Sequence, residues 1–400
     1  MLKHTFDLEL TVMTAVHVWS GYRYTVGADT YIRDNRMYII DPDKFASLCM
    51  GRRRVLDEIV FGTSTLATII QKYSLPVENL SRLVLEISNG LSSKIISIKE
   101  VMSNNYVNDK PAIPGSEIKG LIRTAILFDL TEKRIMDKKF YEQLKGQIEY
   151  VLENCRQNVL IAGLPIEILL KGWIAGFKSG RKRENPYDIM HFLQVSDPYT
   201  DEYGSVIDSI VTVYRDDPRN VIAETFIETI PSNTMYKYRI AITKPVMKDM
   251  VSKSISLGIL DRSSFEQMLS KYIEILDPNN ILNSLKKFSE ELLEYEIGIL
   301  KGFEGKGFDL SIVDEMKEWL TEVREGNNVF YLKIGYGAGH YSKTVYLAIP
   351  DDLRRLLKQV MTQCKDRLWD DVSYRVLGSY YHQDKLIPFA WVKLKIKRVR

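Results

Sequence analysis

The chain opens on HTFDLELTV and closes on WVKLKIKRVR, and in both runs apolar and polar residues alternate. A period of two marks a strand with one buried face. Phe6, Leu8, Leu10 and Val12 at one end, and Val392, Leu394 and Ile396 at the other, therefore turn toward a core. Lys393, Lys395 and Lys397 then form a row of ammonium groups on the opposite face. A chain bounded in this way is built on half-buried sheets.

Between these ends the patterns alternate between strand and helix. DTYIRDNRMYIID predicts a hairpin about Asp34-Asn35, and DPDKFASLCM carries the Asp41 cap and Pro42 of a helix start. SKIISIKEVM and VIDSIVTVYRD read as strands, and AETFIETIP with TMYKYRIAIT as a second hairpin-like pair around Pro231-Ser232-Asn233. From Lys248 onward the texture becomes amphipathic helix, clearest where Leu282, Leu285, Phe288, Leu292 and Tyr295 recur at helical spacing. NNVFYLKIGYGAGH then returns to strand, and PDDLRRLLKQVMTQC predicts a short helix. At 400 residues the chain exceeds one ordinary core, and the change of texture puts a boundary near residue 247, between an N-terminal domain (1–247) and a C-terminal domain (248–400).

Several function classes find no support. Cys49, Cys155 and Cys364 lie far apart without a CxxC pair, which argues against a zinc cage or disulfide framework and fits a reducing cytosol. The histidines, His4, His17, His191, His340 and His382, show no HExxH spacing, and no GxSxG elbow is present. No cofactor or metal is indicated. The start of the chain is charged and alternating, unlike a signal peptide, and the apolar stretch 159–177 is broken by Pro165, Glu167 and Lys171, unlike a membrane span. The net charge is only +3, but residues 261–325 hold 15 acidic and 8 basic side chains, which leaves the remainder at +10. That asymmetry suits a basic surface facing an anion, or simply a solvated helical face.

The most unusual local chemistry is in AIPGSEIKGLIRTAILFDL, residues 112–130. Pro114-Gly115 makes a turn, Ser116 is a natural N-cap, and Ile118, Leu121, Ile122, Ala125 and Phe128 form the buried stripe of a helix. Lys119 and Arg123 then share a face near the positive end of the helix dipole, where cations are disfavoured. Gly120 inside the helix costs on the order of 1 kcal/mol relative to Ala. An anion relieves all three, since free amides, two cations and a glycine that admits another backbone make a phosphate cradle. The alternative is an N-capped helix with solvated Lys and Arg.

Other elements bear on the same ligand. KIGYGAGHYSKT spaces Gly335, Gly337 and Gly339 after a strand, misses the dinucleotide fingerprint at His340, and predicts a tight loop followed by Lys343 and Thr344 at a helix start. Arg52-Arg53-Arg54, Arg181-Lys182-Arg183 and the terminal lysine row continuing into Arg398 and Arg400 are basic clusters, on a chain with 10% aromatic residues. Cations with rings such as Tyr22, Tyr24, Tyr336 and Tyr341 are compatible with single-stranded nucleic acid, although packing is the more usual role of each such ring. His17 and His340 are candidates for a metal-independent acid–base pair that cleaves RNA.

Taken jointly, PGSxxKGxxR at Pro114, Gly115, Ser116, Lys119, Gly120 and Arg123 and the Gly335 to Gly339 loop resemble the RAMP superfamily of CRISPR proteins. Within it, HVWSG, DTYIRDNRMYIIDPDKF, FLQVSDP, ETIPSNTMYKYRI, GYGAGHYSKT and IPFAWVKLKI are most similar to the fifth-subunit family of type III-A (Csm) effector complexes, over nearly the whole chain. The likeness departs at HVWSG, where Trp19 stands in place of a glycine usual in that family.

The resemblance implies an α+β, ferredoxin-like (RRM-like) fold with antiparallel sheets and helices in two domains. It implies a non-catalytic, cytoplasmic subunit that binds the 3′ region of the crRNA and caps the backbone filament. Its partners would be the crRNA and other Csm subunits, especially the repeated backbone subunit, with no membrane. The residues carried into the RNA site are His17, Ser20, Gly21, Arg52, Arg53, Gly115, Ser116, Lys119, Gly120, Arg123, Gly335, Gly337, Gly339 and Lys343. Asp29 superficially resembles the aspartate with which backbone subunits cut target RNA, but it lies in a region matching the end-capping subunit. The alternative functions are a metal-independent, repeat-cleaving endoribonuclease of the same superfamily and a protein scaffold that touches no RNA.

Overall fold

The computed structural model describes residues 3–154, 189–243, 270 and 273–399, other than 63, 96–99, 108–109, 200–203 and 366–371. The two alternating ends of the chain pair with each other. Strand Lys3–Val12 lies antiparallel between Trp391–Val399 and Met235–Thr243, with Leu8 opposite Ile396 on one side and Tyr238 on the other. Val329–Lys333 adds to the outer side of Trp391–Val399, and Leu193–Val195 to the outer side of Met235–Thr243, completing a five-stranded antiparallel sheet.

Two helices cover the apolar face of this sheet, because each carries the matching stripe. Gly115–Ile135 buries Ile118, Leu121, Ile122, Ala125 and Phe128. Pro278–Lys301, started by the Asp277 side chain accepting from the Asn279 amide, buries Leu285, Phe288 and Leu292. Phe6, Ile122, Ile240, Ile281 and Ile396 meet where helices and sheet close together. The Phe128 and Phe288 rings sit 5.3 Å apart between centroids, and burying each contributes about 1.5–3 kcal/mol.

A second, eight-stranded sheet runs in the order Trp19–Thr25, Glu100–Asn104, Val221–Thr229, Val206–Tyr214, Ser81–Ile87, Arg36–Ile40, Thr30–Arg33, with Ser373–Leu377 also pairing to Val206–Tyr214. It is mixed, because Glu100–Asn104 and Ser81–Ile87 run parallel to their inner neighbours. The first hairpin forms where expected, with Asp34 and Asn35 both at positive φ (50° and 60°), as a tight two-residue turn requires. The Asp41 carboxylate caps Pro42–Met50 by accepting from the amides of Asp43 and Lys44. This helix joins Leu66–Lys72 over a separate small core that includes Tyr38, Phe45 and Ile69.

Two expectations are corrected. Val221–Thr229 and Met235–Thr243 are not a hairpin: the chain crosses from the second sheet to the first between them, held by the Asn233 amide donating to the Val12 carbonyl at 2.7 Å. At the start of SKIISIKEVM the helical turn Ser92–Ile95 replaces strand, residues 96–99 lie outside the described residues, and Glu100–Asn104 is strand. Residue 247 itself lies outside the described residues. Strands from both sides of it form the first sheet, and one core cluster holds Phe6, Phe128, Phe288 and Trp391 together. The segments 1–247 and 248–400 thus share a sheet and a core.

Candidate functional site

Helix Gly115–Ile135 begins differently from its sequence-based reading. Pro114, extended at φ −64° and ψ 151°, holds the cap position with no side-chain hydrogen bond, which puts Ser116 in the first turn, exposed. The close backbone approach belongs to Gly115, where a Cβ would fall 2.3 Å from the Ser196 carbonyl oxygen. Gly120 has nothing within 4 Å on its Cβ side. Its side of the helix is open.

Across that opening stand the two ends of the glycine loop, while Gly335, Gly337 and Gly339 themselves do not line it. Gly335 (φ +80°) packs so tightly against the segment that follows the first strand that a Cβ would lie 2.3 Å from the His17 carbonyl oxygen, and the Tyr336 amide donates to that same oxygen at 2.8 Å. At Gly337 (φ +78°) a Cβ would come within 2.9 Å of Ile210. Gly339 is also left-handed, at φ +88°. These conformations strain any residue with a Cβ. Lys343 and Thr344 follow in turns, not at the start of a regular helix, with a short 3-10 segment at Tyr346–Ala348.

Helix and loop enclose a cleft of about 310 Å³. Ser116, Gly120 and Arg123 line it from the helix, with Thr124 and the carboxylate Glu117, while Lys333, Ile334, Ser342 and Lys343 line it from the strand and loop. Four residues singled out in sequence therefore meet at one opening. Lys119 is not among its lining residues and flanks it on the adjoining helix face.

Lys333, Thr124 and Ser342 were not anticipated. Lys333 is 2% exposed at its side chain, yet its Nζ lies 2.7 Å from Oε1 of the fully buried Glu296. The Tyr374 hydroxyl donates to that Oε1 at 2.8 Å and the Tyr341 hydroxyl to Oε2 at 3.0 Å, and three rings, Tyr341, Tyr374 and Trp391, stand 5.7–5.9 Å from the ammonium. One helix carboxylate thereby fixes residues on both sides of the glycine loop. The only sequence signal was the position of Lys333 immediately before the loop.

Other expected site residues lie elsewhere. His17 is fully buried, and its Nδ1–H donates to the Glu228 carbonyl at 2.7 Å. Burial pulls its pKa down to about 4 against the opposing effect of that hydrogen bond, so the ring is neutral near pH 7 and supports the loop from beneath. It is in no position to touch RNA. His340 packs its ring against Tyr346 at 4.7 Å. Ser20 bonds the Ser103 carbonyl at 3.1 Å, and Gly21 (φ +92°) is exposed, both on edge strand Trp19–Thr25 and outside the cleft lining. Arg52 and Arg53 are exposed beside the small helical core and do not line the cleft. Arg181, Lys182 and Arg183 fall outside the described residues.

Of the ring candidates, Tyr22 and Tyr336 are exposed, whereas Tyr24 and Tyr341 are buried and hydrogen-bonded to Glu228 and Glu296. Asp29 accepts from the Thr25 amide at 2.7 Å, closing the turn before the hairpin. Among the described residues no group of three His, Cys, Asp or Glu is arranged to hold a metal ion. No helix among them is long and apolar enough to cross a membrane.

The fold and this pairing of helix with glycine loop define a class. The sequence profile of the RAMP superfamily matches residues 9–342, and the chain belongs to that superfamily. A curated relative described as "CRISPR system Cms protein Csm5", from Methanocaldococcus jannaschii, is 22% identical over 364 residues, covering 86% of this chain and 73% of the relative. Among solved structures, a chain of a cryo-EM Csm–crRNA–target RNA ternary complex of a type III-A CRISPR-Cas system superposes with a TM-score of 0.66 at 17% identity, covering 98% of this chain and all of the other. The crystal structure of T. onnurineus Csm5 superposes with a TM-score of 0.61 at 17% identity, covering 96% and 99%. The chain thus resembles the fifth Csm subunit in sequence and in fold.

Proposed function

We propose that this chain is a non-catalytic, cytoplasmic RNA-binding subunit of a type III-A Csm effector complex, which binds the 3′ region of the crRNA and caps the filament of repeated backbone subunits. Its five-stranded sheet is read as a ferredoxin-like unit, because Trp391–Val399, Lys3–Val12, Met235–Thr243 and Leu193–Val195 lie side by side in that order, with Gly115–Ile135 following the first strand and Pro278–Lys301 the third. The observation that carries the functional reading is the cleft where Ser116, Gly120 and Arg123 face Lys343, at the foot of a glycine loop. Cations beside a helix start and an open glycine suit a phosphodiester backbone, which carries no sequence information. A His17 ring buried out of reach of any substrate, with its Nδ1–H given to the Glu228 carbonyl, speaks against the endoribonuclease alternative.

The test is binding of the purified chain to single-stranded RNAs of unrelated sequence in a chelator. Arg123→Ala with Lys343→Ala should weaken all of them to the same degree, and the RNA should be recovered intact. Unchanged affinity in the double variant, or site-specific cutting, would overturn the reading.

A further inference from the structure

Edge strand Trp19–Thr25 carries rings that the cleft does not use. Trp19 is 46% exposed and Tyr22 77% exposed, while the next ring along, Tyr24, is buried. The cause is local. Trp19 pairs with Asn104 and Arg23 with Met102, so three residues of this strand oppose the single Ser103. Gly21 takes up the irregularity at φ +92° in open space. A bulge of this kind re-aims the side chains around it.

The exposed indole is also fixed. Its Nε1–H donates to the Tyr22 carbonyl at 3.1 Å, and the Arg23 guanidinium lies 5.9 Å from the ring centroid. Arg23 is itself held by Glu100 at 2.5 Å. With its polar atom satisfied, what Trp19 offers to a ligand is π surface beside a cation. That chemistry takes up a nucleobase by stacking and does not distinguish one base from another.

The strand adjoins the glycine loop whose flanking residues Ile334, Ser342 and Lys343 line the cleft. Trp19 lies two residues beyond His17, whose carbonyl oxygen holds the Tyr336 amide and abuts Gly335. Tyr336 is 41% exposed and meets the His17 ring edge-on at 5.8 Å. Tyr336 thus rests on buried His17, and Trp19 follows that residue by two positions in the chain.

We propose that Trp19, assisted by Tyr336, is a stacking platform for bases of a single-stranded RNA whose phosphates lie in the cleft of Arg123 and Lys343. The proposal rests on the RNA-binding reading above. It adds a base-dependent but sequence-independent contribution to a phosphate contact.

The test compares single-stranded RNA with an abasic strand of the same length, each titrated against the full chain by fluorescence anisotropy. The wild type should prefer the base-bearing strand. Trp19→Ala should weaken that strand at least about fivefold and leave the abasic strand unchanged, and Trp19→Phe should retain most of the preference. Arg123→Ala with Lys343→Ala should weaken both strands alike, which separates failure of the phosphate site from failure of the platform. Equal losses on both strands in Trp19→Ala, or no loss on either, would overturn the platform. Loss of a co-purifying protein subunit from Trp19→Ala with RNA affinity intact would do the same and mark a protein interface.

Discussion

Replacing Glu296 by glutamine should destabilise the protein by roughly 3 kcal/mol and loosen the glycine loop. The pair it breaks is 2.7 Å long, with side chains 2% and 0% exposed. At an effective dielectric near 20, the attraction at that distance is about 6 kcal/mol, and burial of the two ions costs several kcal/mol each, so the intact pair contributes little net stability. Removing one charge leaves the other buried, at about 3–5 kcal/mol. The three rings near Lys333 retain part of the ammonium's stabilisation, which favours the lower figure. Urea unfolding followed by tryptophan fluorescence and far-UV circular dichroism would measure the loss. Amide exchange across residues 335–341 should quicken, because Tyr341 and Lys333 lose their common anchor. Lys333→Met combined with Glu296→Gln should recover most of the stability. A single-variant cost below about 1 kcal/mol, or a double variant worse than the single, would refute the reasoning.

His17 gives a pH dependence. Its pKa falls from 6.5 to about 4 on folding, so the unfolded chain holds the proton more tightly. The contribution is complete above about pH 6.5 and is lost as pH drops toward 4, a change of roughly 3 kcal/mol; in urea titrations His17→Gln should be flatter across that window, and matching slopes would contradict the assignment. Two glycines should behave oppositely. Gly335→Ala, at φ +80° and against the His17 carbonyl, should lower the melting temperature by several degrees. Gly120→Ala, in open space within a helix, should stabilise by about 0.5–1 kcal/mol and yet weaken RNA binding by filling the cleft. A melting temperature left unchanged by Gly335→Ala, or lowered by Gly120→Ala, would be the wrong sign for each.

The sequence was most informative where the determining forces are local. The Asp34-Asn35 turn, the Asp41 cap and the apolar stripe of Pro278–Lys301 depend on neighbours a few residues away, and each forms as read. Pairing is non-local, so alternation identified the first and last strands without revealing that they lie side by side. The same limit misassigned the Pro231-Ser232-Asn233 turn, whose flanking strands find partners in different sheets. In the candidate site, Gly120 and Arg123 were legible as departures from good helix design. Ser116 was read as a cap because serine is a good one, but Pro114 holds the cap two residues earlier, with Gly115 packed against the Ser196 carbonyl. Glu228 was invisible for a further reason: it is buried among neutral donors, Tyr24 and the Asn104 amide among them, which no pattern in its own strand announces.

The central claim is that Arg123 and Lys343 meet RNA phosphates across the cleft, and salt dependence reads that contact directly. Plotting the logarithm of the binding constant for a single-stranded RNA against that of salt concentration, the double alanine variant should show a slope shallower than wild type by about 1.4, two phosphate contacts at about 0.7 each. Parallel lines for the two proteins would mean that no phosphate is neutralised there, and the assignment of the cleft would be wrong.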